Sequence, residues 1–232
     1  MEEQQVEIEL RARAIKLGLW SSIILLLLGI AFIITLFASP LDAPPRNWGG
    51  VGTFTASVKT FQMFEISMLI GFLMVPLFIG IIVSIHNYAP ITKKPLTHMA
   101  LMFAAVYAVL VSLSYFVELT VIRQNIMRGQ MGLLDQYVDT IMFAIDLLGF
   151  FFLGLSMSFT AHVFAGGKPE ALLRCFLISD GVLGITGVVG FALSNKILLF
   201  INLIGISVAL TITAFLLYIF FKKEKQRMIK TP

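Results

Sequence analysis

The stretch LGLWSSIILLLLGIAFIITLF, at residues 17–37, decides the class of fold because no charged residue interrupts it. An α-helix needs about 20 mainly apolar residues to cross the hydrocarbon core of a bilayer. The apolar core of a cleaved signal peptide is shorter, about 7–15 residues, and follows a basic segment. Here an acidic segment precedes the stretch instead. The stretch therefore predicts a transmembrane helix that the protein retains.

Further apolar stretches of this kind follow at about residues 61–85, 98–122, 137–164, 171–193 and 197–221. Hydrophobic residues make up 58% of the 232 residues and charged residues 13%, whereas soluble domains average about 25% charged. A soluble domain of this length buries only about 70% of its surface and could not hide so much apolar side chain. The sequence predicts an all-α, polytopic membrane protein, in which one domain, residues 1–232, is a bundle of six transmembrane helices. A cytosolic enzyme, a nucleic-acid-binding domain and a disulfide scaffold are excluded.

The distribution of Lys and Arg predicts the orientation in the membrane. Twelve of the 17 basic residues lie on the side that carries both termini, and five lie on the other side. Because basic residues are enriched on the cytoplasmic side, both termini are predicted to be cytoplasmic. The net charge of +4 therefore indicates orientation and not a nucleic-acid partner. The outer loop around Trp48, residues 38–60, is predicted either to cap a cavity or to be a plain connection.

Acidic residues without basic partners are the main functional signal. They lie within or at the edges of the predicted spans, which contain no Lys or Arg at depth: Glu65, Glu118, Asp139, Asp146 and Asp180. An ionised side chain at mid-membrane costs a few kcal/mol even on the most lenient scale. A carboxyl group there must be protonated, hold a cation or face water.

The acidic residues step inward from the predicted outer surface. With a rise of about 1.5 Å per residue, Glu65 and Glu118 lie roughly 6 Å deep, Asp146 roughly 12 Å and Asp180 roughly 19 Å. The first two, like Asp139, are also compatible with carboxyl groups that reach the outer headgroups. The two deeper ones are also compatible with protonated carboxyl groups that are hydrogen-bonded inside the bundle.

Helical spacing supports a polar face that lines an outward-facing acidic pocket. Tyr107, Ser114 and Glu118 share one stripe of the third helix, since they are spaced by seven and four residues. Tyr115 lies beside this stripe, and the sixth helix offers Asn202. The predicted ligand-binding residues are Glu65, Glu118, Asp146 and Asp180, with Tyr107, Tyr115 and Asn202 as supporting polar groups.

Three functions agree with this pattern. The leading hypothesis is the binding and translocation of a small cationic or proton-coupled solute. The second is an intramembrane enzyme that acts on a lipid by carboxylate acid/base chemistry. The third is a non-catalytic subunit or sensor whose polar face meets a membrane-protein partner or a second copy of the chain. The sequence has no HExxH motif, no pair of cysteines, and no Walker A or GxGxxG loop, so neither a metal ion nor another cofactor is expected.

The tract SYFVELTVIR, residues 114–123, resembles one found in six-helix prokaryotic integral membrane proteins of no assigned function. The resemblance extends over about helices three to five. It implies the cytoplasmic membrane of a bacterium or archaeon and implies no activity. The six-helix plan is also similar to that of the substrate-binding components of vitamin uptake systems.

The orientation can be tested with a reporter fused after Pro232. Since the excess of basic residues is predicted to hold both termini in the cytoplasm, a fluorescent protein that matures only there should be active. Alkaline phosphatase, which needs the periplasm, should be inactive at the same position. An active phosphatase would contradict either the number of spans or the orientation.

Overall fold

The chain is almost entirely helical where the computed structural model describes it, at residues 2–38, 58–122 and 141–230. In these ranges there is no strand, and the long helices are α1 (Glu2–Ala38), α2 (Val58–Tyr88), α3 (Lys94–Val117), α4 (Ile141–Ala161), α5 (Lys168–Ala192) and α6 (Lys196–Lys230). A 3-10 turn, Ile91–Lys93, precedes α3, and a π-helical turn, Glu118–Ile122, follows it. Each long helix is long and apolar enough to span a membrane. The all-α fold with six membrane-spanning helices is thus confirmed.

Two of the helices, α1 and α6, extend farthest beyond their predicted spans. Helix α1 begins at Glu2 rather than near residue 17, and α6 ends at Lys230 rather than near residue 221. The added residues are mostly Glu, Gln, Lys and Arg, which favour helix and need not lie in hydrocarbon. A helix of 37 residues is about 55 Å long, whereas the hydrocarbon core is about 30 Å thick. Trp48 and Asp139 lie outside the described residues.

The six helices form a closed ring. Each helix packs against its neighbours in sequence, and α6 packs against α1. Arg11 of α1 lies over the ring of Tyr88 in α2, with 4.8 Å from its guanidinium carbon to the ring centroid. The Tyr88 hydroxyl in turn donates a hydrogen bond of 3.1 Å to Glu224 of α6. The start of α1 and the end of α6 therefore lie at the same end of the bundle, which we call the N/C end.

The N/C end is closed by a polar network over an aromatic cluster. Glu224 is buried and also accepts a hydrogen bond of 2.6 Å from Arg227. Just beneath it, Phe220 meets Tyr88 and Phe164 edge to face, with ring centroids 5.2 and 5.0 Å apart. These contacts connect α2, α6 and the segment that follows α4.

Helices α4 and α5 pack backbone against backbone. A Cβ atom at Gly154 would lie 2.9 Å from the carbonyl oxygen of Asp180, and one at Gly184 would lie 2.8 Å from that of Phe150. Real Cβ atoms do not approach other atoms so closely, so both positions require glycine. Small residues at such a crossing let transmembrane helices approach closely, which increases their van der Waals contact.

Replacing Gly184 by alanine should destabilise the bundle by about 1–3 kcal/mol, because the added methyl group meets backbone that cannot move aside. The matched control is Gly167→Ala, since Gly167 precedes α5 and no atom lies within 4 Å of its Cβ position. Thermal unfolding of both variants in detergent tests this. Equal melting temperatures for the two variants would contradict the close α4–α5 packing.

Candidate functional site

Polar side chains point into the bundle, and large apolar side chains cover much of the outside. The buried polar residues within the predicted spans are Ser21, Ser22, Ser67, Ser84, Ser114, Asp146, Ser156, Thr160, Asp180, Asn202 and Thr213. Several of the hydroxyl groups are satisfied by backbone carbonyl groups of their own helix, as Ser22 is by Gly18. The two buried aspartates differ, because each has a carboxyl oxygen atom, Oδ1, that no described hydrogen-bond donor reaches.

Helices α3 and α4 bring three of the predicted site residues together. Asp146 is 8% exposed, and Tyr107 and Tyr115 are 3% and 4% exposed. The carboxyl group of Asp146 lies close enough to both tyrosines to interact with them electrostatically. Within the described ranges, no hydrogen-bond donor reaches its Oδ1 atom. We call Tyr107, Tyr115 and Asp146 the Asp146 cluster.

Aromatic rings and a glycine form the walls of this cluster. The ring of Tyr107 packs edge to face against Phe78 of α2, with centroids 5.2 Å apart, and lies 6.4 Å from Phe150 of α4. The ring of Tyr115 lies against Gly71 of α2, where a Cβ atom would come within 2.6 Å of Cε2. Only glycine leaves room for this tyrosine. The carboxyl group therefore lies near two tyrosine rings, one of which packs against further aromatic rings.

Glu118 and Glu65 lie nearer the opposite end of the bundle from the N/C end. Glu118 opens the π-helical turn directly after α3, and this turn packs against α2, the helix that carries Glu65. π-helical turns in α-helices are uncommon and occur frequently at functional sites. Both glutamates are half-buried. They share the Asp146 cluster's side of the bundle, since α2 and α3 also carry its walls.

The contacts between α3 and α4 give the relative depth of these residues. A Cβ atom at Gly149 would lie 2.5 Å from Val111, and the Ser114 hydroxyl lies 3.5 Å from the Met142 carbonyl oxygen. Asp146 of α4 therefore lies at a depth about midway between those of Val111 and Ser114 in α3. Glu118 lies about six residues farther along α3, which corresponds to about 9 Å.

Asp180 lies in a different place. Its side chain is fully buried in α5, and its Oδ2 atom accepts a hydrogen bond of 3.0 Å from the Thr213 hydroxyl of α6. No described donor reaches its Oδ1 atom. The backbone of Asp180 faces Gly154, which lies eight residues beyond Asp146 along α4, or about 12 Å. The structure thus separates the two aspartates that sequence analysis assigned to one pocket.

Thr213 is a polar contact that sequence analysis missed. The sequence does contain a signal for Thr213. It follows Asn202 by 11 residues, about three helical turns, and so lies on the same face of α6. Asn202 was predicted as a site residue, but the structure gives it another contact. Its side-chain amide donates a hydrogen bond of 2.7 Å to the Leu183 carbonyl oxygen and packs against Gly187. Asn202 therefore holds α5 to α6.

Thr213 also lines a cavity of about 10 Å³ in the centre of the bundle. The other lining residues are apolar: Leu25, Phe78, Ile81, Ile82, Ile85, Met157, Leu177, Leu210, Ala214 and Leu217. A cavity of roughly this size is close to the smallest that can hold one water molecule. The apolar lining separates Asp180 from the polar network at the N/C end.

In the part of the chain that the structure describes, no three His, Cys, Asp or Glu residues converge as a metal site would require. Comparison of the chain with protein-family models, curated proteins and solved structures finds no match. The functional argument therefore depends on the geometry of the two aspartates.

Asn202→Ala should lower the stability of the folded protein by about 1 kcal/mol, because interhelical hydrogen bonds in membranes contribute on this scale. Ser207→Ala is the matched control on the same helix, since the Ser207 hydroxyl bonds only to Leu203 of its own helix. Thermal unfolding in detergent measures both. If Asn202→Ala is as stable as Ser207→Ala, then the α5–α6 contact contributes nothing and a ligand-binding role for Asn202 regains support.

Proposed function

We propose that this membrane protein binds a small cationic solute at the Asp146 cluster and translocates it, with a proton as the coupling ion. The observation that carries the proposal is Asp146 itself. It is a nearly buried carboxyl group within a membrane-spanning helix, and no described basic residue acts on it. A cationic solute would provide the charge that the surrounding protein lacks.

The chemistry of the cluster favours an organic cation. Aromatic faces attract cations through their quadrupoles, by about 2 kcal/mol or more when the pair is desolvated. Tyr107 and Tyr115 lie close to the carboxyl group and could offer such faces, and their hydroxyl groups could add polar contacts. A metal ion would instead require several oxygen ligands at short distance. The walls of the cluster therefore support a small ammonium-type solute.

Glu65 and Glu118 would form the approach to this site. They lie on the same side of the bundle and farther from the N/C end than Asp146 does. Acidic side chains at the mouth of a cleft raise the local concentration of cations and speed their association. With both termini in the cytoplasm, the solute would enter from outside. The setting that we propose is the cytoplasmic membrane of a prokaryote, in line with the resemblance of residues 114–123.

The burial of the cluster bears on the alternative functions. An enzyme that acts on a lipid needs polar groups at a point that lipid can reach, whereas Asp146 and both tyrosines are almost completely covered. A subunit that recognises a partner helix through polar contacts needs those groups on its outer face, whereas the buried polar side chains here point inward. Both observations support solute binding.

Asp146→Asn should weaken the binding of a cation by at least about tenfold, since removing one charge of a buried pair costs about 2–5 kcal/mol. Glu118→Gln should have a smaller effect, mainly on the association rate. The probe is radiolabelled tetramethylammonium, measured at several pH values by equilibrium binding to purified protein and normalised to folded protein. Glu170→Gln is the control, because Glu170 bonds to the Gly166 amide in a turn at the N/C end.

The result would contradict the proposal if Asp146→Asn and Glu118→Gln both bound the probe like the parent at every pH. It would also do so if the parent and Glu170→Gln proteins bound tetramethylammonium no better than the Asp146→Asn protein does. A loss of binding in proportion to the loss of folded protein would mean that Asp146 is only structural.

A further inference from the structure

Asp180 is the deepest acidic group of the bundle, and it takes no part in the Asp146 cluster. We propose that Asp180 and Thr213 form a separate proton-binding site at the centre of the bundle, and that the protein exchanges this proton through the opposite end. This inference rests on the proposed function, which supplies the solute to which the proton is coupled. Asp180 would hold the coupling proton, and no metal ion would take that role.

Asp180 is isolated from other charges on every helix that packs against it. Helix α4 carries Asp146, with His162 in the turn that follows it, α5 carries Arg174, and α6 carries Glu224. None of these groups acts on Asp180, and among the described residues its side chain has one polar interaction, the hydrogen bond from Thr213. An ionised carboxylate at this depth would thus have one hydroxyl donor and no counter-charge.

Such a charge is costly within a membrane. An ionisable group at the centre of a transmembrane helix costs at least about 2.5–3.5 kcal/mol in its charged form. A proton on the carboxyl group removes this charge, and the remaining neutral group is partly satisfied by Thr213. The buried Oδ1 atom, for which no described donor is in reach, is then the position for the proton.

A metal cation fits these surroundings poorly. Hard cations such as Ca²⁺ take about six to eight oxygen ligands in proteins. Asp180 and Thr213 together offer three side-chain oxygen atoms, and the cavity beside them is otherwise lined by aliphatic, aromatic and methionine side chains. A proton needs only one lone pair, which Asp180 provides.

The cavity beside Thr213 is not a route for the proton. Thr213 lines this cavity of about 10 Å³ while its hydroxyl donates to Asp180, and the other lining residues are apolar. An apolar cavity of this size offers a water molecule too few polar partners to hold it. Exit toward the N/C end is blocked by the apolar lining and by the cluster of Phe164, Phe220 and Tyr88.

Helix α4 connects this site to the Asp146 cluster. The carbonyl oxygen of Asp180 lies against Gly154, and Asp146 lies eight residues away on the same helix. Any adjustment of α5 that accompanies loss of the proton from Asp180 therefore acts directly on the helix that carries the solute-binding carboxyl group. Coupling through a tightly packed helix pair needs no direct contact between the two aspartates.

Infrared difference spectroscopy of the full-length protein in liposomes tests the proton site. Protonated carboxylic acids have a carbonyl stretching band that carboxylates lack, and isotope labelling of aspartate assigns it. At neutral pH, Asp180→Asn should lack one such band. Thr213→Val should keep the band but shift it, because the hydrogen bond to the carboxyl group is lost, whereas Thr213→Ser should leave it unchanged. Raising the pH should convert the parent band into a carboxylate band.

Three results would overturn the inference. The first is a spectrum of Asp180→Asn that lacks no acid band, since Asp180 would then be ionised. The second is a band that persists unchanged to alkaline pH, since its proton would then be a fixed structural one. The third is loss of the band when sodium chloride is added to a salt-free buffer at constant pH, since Asp180 would then bind a metal cation. If Asp180→Asn does not fold, the two Thr213 variants decide the assignment of the band.

The same measurement on Asp146→Asn separates this inference from the proposed function. The Asp180 band should survive in that variant, because the two sites are about 12 Å apart along α4. A protein that shows the Asp180 band but binds no tetramethylammonium would have the proton site without the proposed solute site. A protein that binds the probe but shows no titrating Asp180 band would have the reverse.

Discussion

The structure depends on one constraint, which is that hydrocarbon offers no hydrogen-bond partner to a polar group. A polar side chain in a transmembrane helix must find its partner within its own helix or on a neighbouring one. Most of the hydroxyl groups in this bundle use the first solution, and Asn202 uses the second. Asp146 and Asp180 satisfy the constraint only in part, and for this reason they are the residues to which chemistry can be assigned.

The glycines of α4 and α5 determine how the two aspartates relate to each other. Because Gly154 and Gly184 allow backbone contact, the two helices cannot shift apart without losing the tightest packing in this region. Asp146 then faces the tyrosines of α3, and Asp180 faces α6 and the central cavity. One bundle therefore holds two carboxyl groups at different depths and in different surroundings, one aromatic and one aliphatic.

Hydropathy and spacing predicted a large part of this arrangement. Six apolar stretches predicted six helices, since crossing the bilayer leaves few other solutions. Spacing on the third helix placed Tyr107, Ser114 and Glu118 on one stripe with Tyr115 beside it, whereas in the structure the acidic residue near both tyrosines is Asp146 of α4. The rotation of each helix about its axis is set by packing between specific pairs, which hydropathy does not encode. Hence the partner of Asp180 and the contact of Asn202 were not predicted.

The closure of the ring by α1 and α6 has a consequence for synthesis of the protein. Of the six described helices, α1 is made before the others, yet one of its two flanking helices is α6, which is made after the other five. Until then one side of α1, with Gly18 and Gly29 exposed, must remain next to lipid or to the insertion machinery. Asp180 likewise enters the bilayer before the helix that carries Thr213. The ribosome must therefore have made α6 before the bundle can assume its final packing.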